Sequence, residues 1–173
     1  MKAINLLKET IWDRHTTARI ATLHPAIRDK AKAFIIRADK ELGIKLRVYS
    51  AHRSWQEQKA LYLRTSDGID NDRDGRIDEA DERVTFAAPG ESYHNYGLAI
   101  DVVEIKNGKA LWNNPNWNKI GALGKSLGFE WGGDWRGAKR DRPHFQMRFG
   151  KHHSELARLY RAGQKKGNYV SLT

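Results

Sequence analysis

A chain of 173 residues and 19.9 kDa, 39% hydrophobic and 30% charged, is near the usual size of one domain with a real core, and its six Trp, six Tyr and five Phe exclude intrinsic disorder. The absence of Cys excludes disulfides, thiolate metal sites and a catalytic thiol, so any metal must be held by His, Asp or Glu. The formal charge is +10, yet residues 67–82 hold eight acids against two arginines, and this local −6 leaves +16 on the rest of the chain. A field of that sign favours a polyanionic partner, whether nucleic acid, an anionic membrane surface or an acidic cell-wall polymer, or serves only to solvate the surface.

The opening MKAINLLKETIWDRH lacks the apolar core of a signal peptide, and no apolar stretch is long enough for a transmembrane segment. Synthesis in the cytoplasm without an export signal is the expectation. In PAIRDKAKAFIIRADKEL, residues 25–42, apolar Ile27, Ala31, Phe34, Ile35 and Ala38 recur at helical spacing, and Gly43 is placed to end the helix. Residues 45–50, KLRVYS, alternate as a strand, and HRSWQEQKALYLR predicts a helix capped by Ser54. Ser50 to Arg53 then forms a strand-to-helix junction. Residues 97–103, GLAIDVV, read as a buried strand, 116–127 as a helix closed by Gly128, and 144–149 as a second strand. The segment HHSELARLYRAGQKK is helical up to Gly163. With no repeat and no linker, residues 1–173 are expected to form one domain carrying an acidic insertion at about 67–83.

Three side chains stand out for chemistry. His94 precedes a glycine turn, and Asp101 shares a strand face with Gly97 and Ala99, whose small size leaves room for a ligand. In DRPHFQMRF, alternation puts His144, Gln146 and Arg148 on one side and Phe145, Met147 and Phe149 toward the core. Two imidazoles and a carboxylate suffice for a catalytic zinc with an open fourth position. The spacing alone equally fits ordinary hydrogen-bonded histidines. His15, His24, His52, His152 and His153 have no partner at ligand spacing and are read as surface or capping residues.

The segment SYHNYGLAID resembles the S-x-H-x-x-G-x-A-x-D signature of the zinc D,D-carboxypeptidase and L-alanyl-D-glutamate endopeptidase family, of the VanY and phage endolysin type. SAHRSWQEQ, VTFAAPGESYHNYG, FEWGGDW and DRPHF are similar to further blocks of that family in the same order, over roughly residues 45–150. The resemblance implies His94, Asp101 and His144 as zinc ligands and Asp141 as the catalytic carboxylate, with Glu130 and Asp134 as competitors for that role. It implies that Arg53 faces the metal to bind a substrate carboxylate or an oxyanion, unless it only pairs with Glu57 one helical turn away. Ser92 and Gln58 take supporting positions. Gln146 stands where the family more often has Glu, and His52 is unusual before Arg53. Position 146 is expected to line the cleft and bear on substrate preference.

The run DNDRDGRIDEAD resembles an EF-hand or dockerin-type calcium loop. Asp70, Asp72 and Asp74 take positions 1, 3 and 5, Gly75 position 6, Arg76 position 7 by its backbone carbonyl, Ile77 position 8, Asp78 position 9, and Asp81 position 12, where Glu is usual. The resemblance implies a regulatory or structural calcium. An acidic surface loop without an ion is the alternative.

The expected fold is α+β, a small antiparallel sheet forming the zinc cleft with helices packed on one face. The expected activity is zinc-dependent hydrolysis of peptidoglycan stem peptides at the L-Ala–D-Glu bond. The protein would act as a monomeric phage endolysin, made in the host cytoplasm and reaching the wall after release, with antimicrobial effect. Its partners would be bacterial peptidoglycan and anionic envelope polymers rather than nucleic acid. A D-Ala-D-Ala carboxypeptidase is the near alternative. A nonenzymatic calcium-regulated binder of anionic polymer explains the charge but leaves the His94, Asp101, His144 and Asp141 set without a role.

Overall fold

In the computed structural model, which describes residues 10–173, helix α1 (Arg14–Ala21) starts where the Asp13 carboxylate accepts a hydrogen bond from the Thr16 amide. Residues 1–9, read above for an export signal, lie outside the described residues. The α1 sequence RHTTARIA buries only Thr16 and Ile20, which is too sparse a stripe to announce a helix. Helix α2 (Pro25–Leu42) follows with Pro at its first position and Gly43 as a left-handed cap. Its expected stripe of Ile27, Ala31, Phe34, Ile35 and Ala38 is fully buried. Each of the larger side chains contributes on the order of 1.5–3 kcal/mol by leaving water.

Strand β1 (Leu46–Ser50) leads to α3 (Trp55–Tyr62), then the acidic segment, a 3-10 turn (Tyr93–Tyr96), β2 (Ala99–Lys106) and β3 (Lys109–Leu111). Helix α4 (Trp117–Ser126), β4 (Glu130–Trp131), β5 (His144–Gln146), α5 (His153–Arg161) and a small hairpin of β6 (Lys165–Lys166) and β7 (Tyr169–Val170) complete the described residues. The main sheet is antiparallel in the order β1-β2-β5-β4, with β3 paired to the far end of β2. The expected α+β class with a small antiparallel sheet is what forms.

The helices cover one face of this sheet. Phe34 of α2 meets Phe145 of β5 edge-to-face at 4.8 Å, and Trp131 stacks on Phe145 at 6.3 Å. The strand expected over 144–149 is shorter than its alternation suggested. Pairing stops at Gln146, and Phe149 adopts a φ of 51° and is exposed rather than in the core. Among the described residues no helix is long and apolar enough to cross a membrane.

Candidate active site

The junction after β1 is built by a capping box. The Ser54 hydroxyl accepts from the Glu57 amide at 3.1 Å, and the Glu57 carboxylate accepts from the Ser54 amide at 2.7 Å. Glu57 is thereby occupied at the cap. Arg53 turns the other way, donating to Gln58 Oε1 at 3.0 Å and to Ser50 Oγ at 3.1 Å, with its Nη2 3.7 Å from Asp101 Oδ2. Gln58 is fully buried and donates to the Ala87 carbonyl at 2.7 Å.

His94 lies on the turn Tyr93–Tyr96, where Ser92 Oγ accepts from the His94 amide. Gly97 closes the turn with φ 66°, and a Cβ there would lie 2.7 Å from the His24 backbone nitrogen, so no other residue fits. Asn95 staples this turn to the Arg53 junction. Its Nδ2 donates to the Arg53 carbonyl at 2.9 Å, its Oδ1 accepts from the Gly90 amide at 2.9 Å, and Arg53 N donates to the His94 carbonyl. Asp101 on β2 pairs directly with His144 on β5.

Three ligand atoms converge. His94 Nε2 is 3.2 Å from Asp101 Oδ1 and 3.3 Å from His144 Nδ1, and His144 Nδ1 is 3.0 Å from Asp101 Oδ1. Atoms about 2.0–2.1 Å from a tetrahedral zinc lie about 3.3 Å from one another, so the triangle matches three vertices of such a site. The outer nitrogens set the tautomers. His94 Nδ1 donates to the Ala51 carbonyl at 2.6 Å, and His144 Nε2 donates to Gln146 Oε1 at 2.9 Å, which turns both inner lone pairs toward Asp101. Three converging acceptors repel one another unless a cation lies between them, and this donor set therefore fits zinc.

The same atoms attract positive charge, a proton where no metal is bound. Burial alone would raise the Asp101 carboxyl, but the two imidazoles outweigh it and hold the group well below the usual carboxylate range. Burial favours neutral His144, and Asp101 with Asp141 outweighs it, leaving that imidazole raised.

Asp141 reaches the cluster through a loop pinned at both ends. Its amide donates to the Gly132 carbonyl at 2.9 Å, and Trp131 Nε1 donates to the Arg142 carbonyl at 2.7 Å. A Cβ at Gly132 would lie 2.4 Å from the Asp141 carbonyl oxygen, so glycine permits the approach. Crowding protein atoms raise the Asp141 carboxyl, and the charge of Asp101 raises it further. The competitors are engaged elsewhere: Asp134 pairs with Lys125 at 2.8 Å, and Glu130 with Arg148 at 2.7 Å.

The triangle sits in a cleft of about 920 Å³. Arg83 to Ala87 line it together with Asp134 to Arg136 and Ala138 to Asp141, so Arg136, Lys139 and Arg140 are among the lining residues. Gln146 lines the cleft as expected, but it is buried and bonded to His144, with its amide donating to Glu130 at 3.2 Å. Position 146 therefore acts first on the ligand. Asn95, Ala51 and Trp135, whose ring lies 5.1 Å from that of His144, escaped the sequence reading because their roles depend on long-range packing. His24 and His152 cap α2 and α5, and His153 reaches the cleft rim.

In the acidic segment, ligand oxygens of Asp70, Asp72 and Asp74 lie within 4.8 Å of one another. The amides of Arg73 and Gly75 donate to Asp70, and that of Arg76 to Asp74. Asp78 accepts from the Gly68 amide, Asp81 lies on a 3-10 turn (Ala80–Glu82), and Ile77 is exposed. Buried Glu82 folds back to accept from the amides of Asn71 and Glu79.

The family described as D-alanyl-D-alanine carboxypeptidase matches residues 86–147, a span that contains all three triangle residues and Asp141. Peptidoglycan L-alanyl-D-glutamate endopeptidase CwlK of Bacillus subtilis is 38% identical over 135 residues, covering 72% of this chain and 73% of that protein. An L-alanyl-D-glutamate peptidase of a Listeria phage is 44% identical over 61 residues, 34% of this chain and 21% of that one. The fold is also that of a vancomycin-resistance D,D-pentapeptidase, VanY, solved in complex with Zn(II): the TM-score is 0.54 at 17% identity, over 87% of this chain and 81% of that one. The chain belongs to the D-alanyl-D-alanine carboxypeptidase and L-alanyl-D-glutamate endopeptidase family of zinc-dependent, peptidoglycan-cleaving metallopeptidases.

Proposed function

We propose that this peptidoglycan endopeptidase cuts the L-Ala–D-Glu bond of stem peptides, with zinc held by His94, Asp101 and His144. The observation that carries the metal assignment is the 3.0–3.3 Å triangle of inward lone pairs. The bond assignment draws support from the two relatives named for that specificity. When bound, zinc supplies a Lewis acid that polarises a carbonyl and makes water acidic enough to attack near neutral pH. Asp141 receives the proton of the attacking water and passes it to the departing amine, a role suited to a carboxylate raised by its surroundings. Arg53, fixed by Gln58 and Ser50, offers its guanidinium to a substrate carboxylate or to the developing oxyanion. The basic lining from Arg136 to Arg140 suits a substrate whose D-Glu carries a free carboxylate.

Mass spectrometry of digested peptidoglycan tests the reading. New D-Glu amino termini are expected, lost on chelation and in a His144→Ala protein that no longer retains zinc. Release of D-Ala alone would convert the assignment to a carboxypeptidase.

We further read residues 70–81 as a calcium loop, supported by the gathered oxygens of Asp70, Asp72 and Asp74 and by the turn at Gly75, with φ 96°. Arg76, Asp78 and Asp81 complete the ligand pattern by position. We also propose that it acts as a monomeric endolysin made in a host cytoplasm; the phage relative and the basic surface support delivery to the wall.

A further inference from the structure

The substrate of the proposed endopeptidase does not end at its peptide. The stem's L-Ala is joined through an amide to the lactyl group of a pyranose in the glycan strand, so a sugar ring follows the scissile bond at short range.

Two aromatic side chains lie in the open on the sheet. Tyr49 is 54% exposed and Trp112 is 44% exposed, and their rings meet edge-to-face with centroids 4.9 Å apart. The Arg19 guanidinium lies 6.0 Å from the Tyr49 centroid.

Backbone register decides where this pair stands. Val48 pairs with Val102 and Ser50 with Asp101, so Tyr49 is the extra residue of a bulge, immediately before the serine that holds Arg53. Leu111 pairs with Glu104, so the chain leaves β3 with Trp112 beside Val103. Val48 and Val102 belong to the buried core, and alternation sends Asp101 and Val103 to the opposite face. The exposed pair therefore shares the sheet face of Asp101 and His144. β1 and β3 flank β2 on opposite sides, so the two rings meet across β2 over Val103, two residues along that strand from Asp101.

We propose that Tyr49 and Trp112 form a saccharide platform on which a pyranose of the glycan strand stacks while its stem peptide crosses the metal site. This deepens, and rests on, the endopeptidase reading. The electropositive C–H face of a pyranose complements the negative face of an aromatic ring, and Arg19 adds a donor at the rim. Lengths agree as well. From the L-Ala carbonyl to the sugar is the L-Ala residue plus the lactyl group, two residue lengths or about 7 Å. From Asp101 to Val103 along β2 is also two residues, about 7 Å.

The test compares kcat/KM on a disaccharide-linked stem peptide and on the same peptide without sugar. Wild type should prefer the sugar-bearing substrate, mainly through KM. Tyr49→Ala and Trp112→Ala should each reduce that preference about 3- to 10-fold while leaving the free peptide's rate in place, and Tyr49→Phe should keep it. Equal losses on both substrates would assign the rings a purely structural role, and an unchanged preference in both alanine variants would remove the platform. Either result overturns the proposal while the endopeptidase reading stands. Wild type that cleaves neither substrate would instead sink that reading and the platform with it.

Discussion

Gln146 accepts a hydrogen bond from His144 Nε2 at 2.9 Å and is itself tethered to Glu130, so a residue two positions beyond a metal ligand on the same strand fixes that ligand's tautomer. Without the acceptor, the His144 proton is free to move to Nδ1, the atom that faces the metal. Gln146→Leu should therefore weaken zinc binding by about 10- to 100-fold with little loss of fold. Competition with a chromogenic chelator measures it, and wild-type affinity in this variant would detach Gln146 from the site.

Asp141 differs in kind, because it touches the reaction rather than the ligands. Asp141→Asn keeps the loop contacts, which run through backbone groups, but removes the proton acceptor. Zinc content and melting temperature should be unchanged, with kcat lower by about 10²- to 10⁴-fold. Near-normal turnover would move the base role to Asp134 or Glu130.

The helical start at Asp13 makes a pH prediction. Burial works to raise this carboxyl, but bonds from Arg47 and Thr16 outweigh it and leave the folded value lowered. A depressed carboxylate contributes stability that is present above its unfolded value of about 3.9 and is lost as pH falls through the folded one. Asp13→Asn keeps a capping oxygen for the Thr16 amide but loses the charge paired with Arg47, so its thermal melts should show a deficit near neutral pH that narrows as pH falls below about 3.9. A pH-independent gap would mean that the charge contributes nothing.

Calcium makes the fourth prediction. Carboxylates gathered at 70–82 repel one another, and the segment they occupy leads directly into Arg83 to Ala87, which line the cleft. Millimolar calcium should raise thermal stability or activity, and Asp70→Ala with Asp72→Ala should abolish the response while zinc is retained. Calorimetric titration of the zinc-loaded protein showing no binding would reduce the segment to an acidic loop.

Much of the fold is legible in the sequence. The α2 stripe and the Ser54 cap follow from local pattern, because periodicity and capping chemistry act over a few residues, whereas His94, Asp101 and His144 stand out as ligands only through the resemblance of SYHNYGLAID and DRPHF to family blocks. What was hidden lies across the sequence. The pairing of Asp101 with His144 spans 43 positions, and Asn95 matters only because Arg53 and Gly90 come to it. Strands β4 and β5 are two and three residues long, too short to show a period, and Phe149 misled because alternation was carried past the end of the ladder.

Gln58 has a consequence beyond its hold on Arg53. From α3 it binds the Ala87 carbonyl and lies 3.3 Å from Thr85 Oγ1, so the chain returns from the acidic excursion to the helix it departed. An excursion with its departure and return held together behaves as a cassette. Halving its length would change closure entropy by only about 0.6 kcal/mol. Exchange of residues 64–83 for a short neutral linker should therefore give a protein that still binds zinc but has lost its acidic appendage, and related peptidases could gain or discard such a module without rebuilding the metal centre.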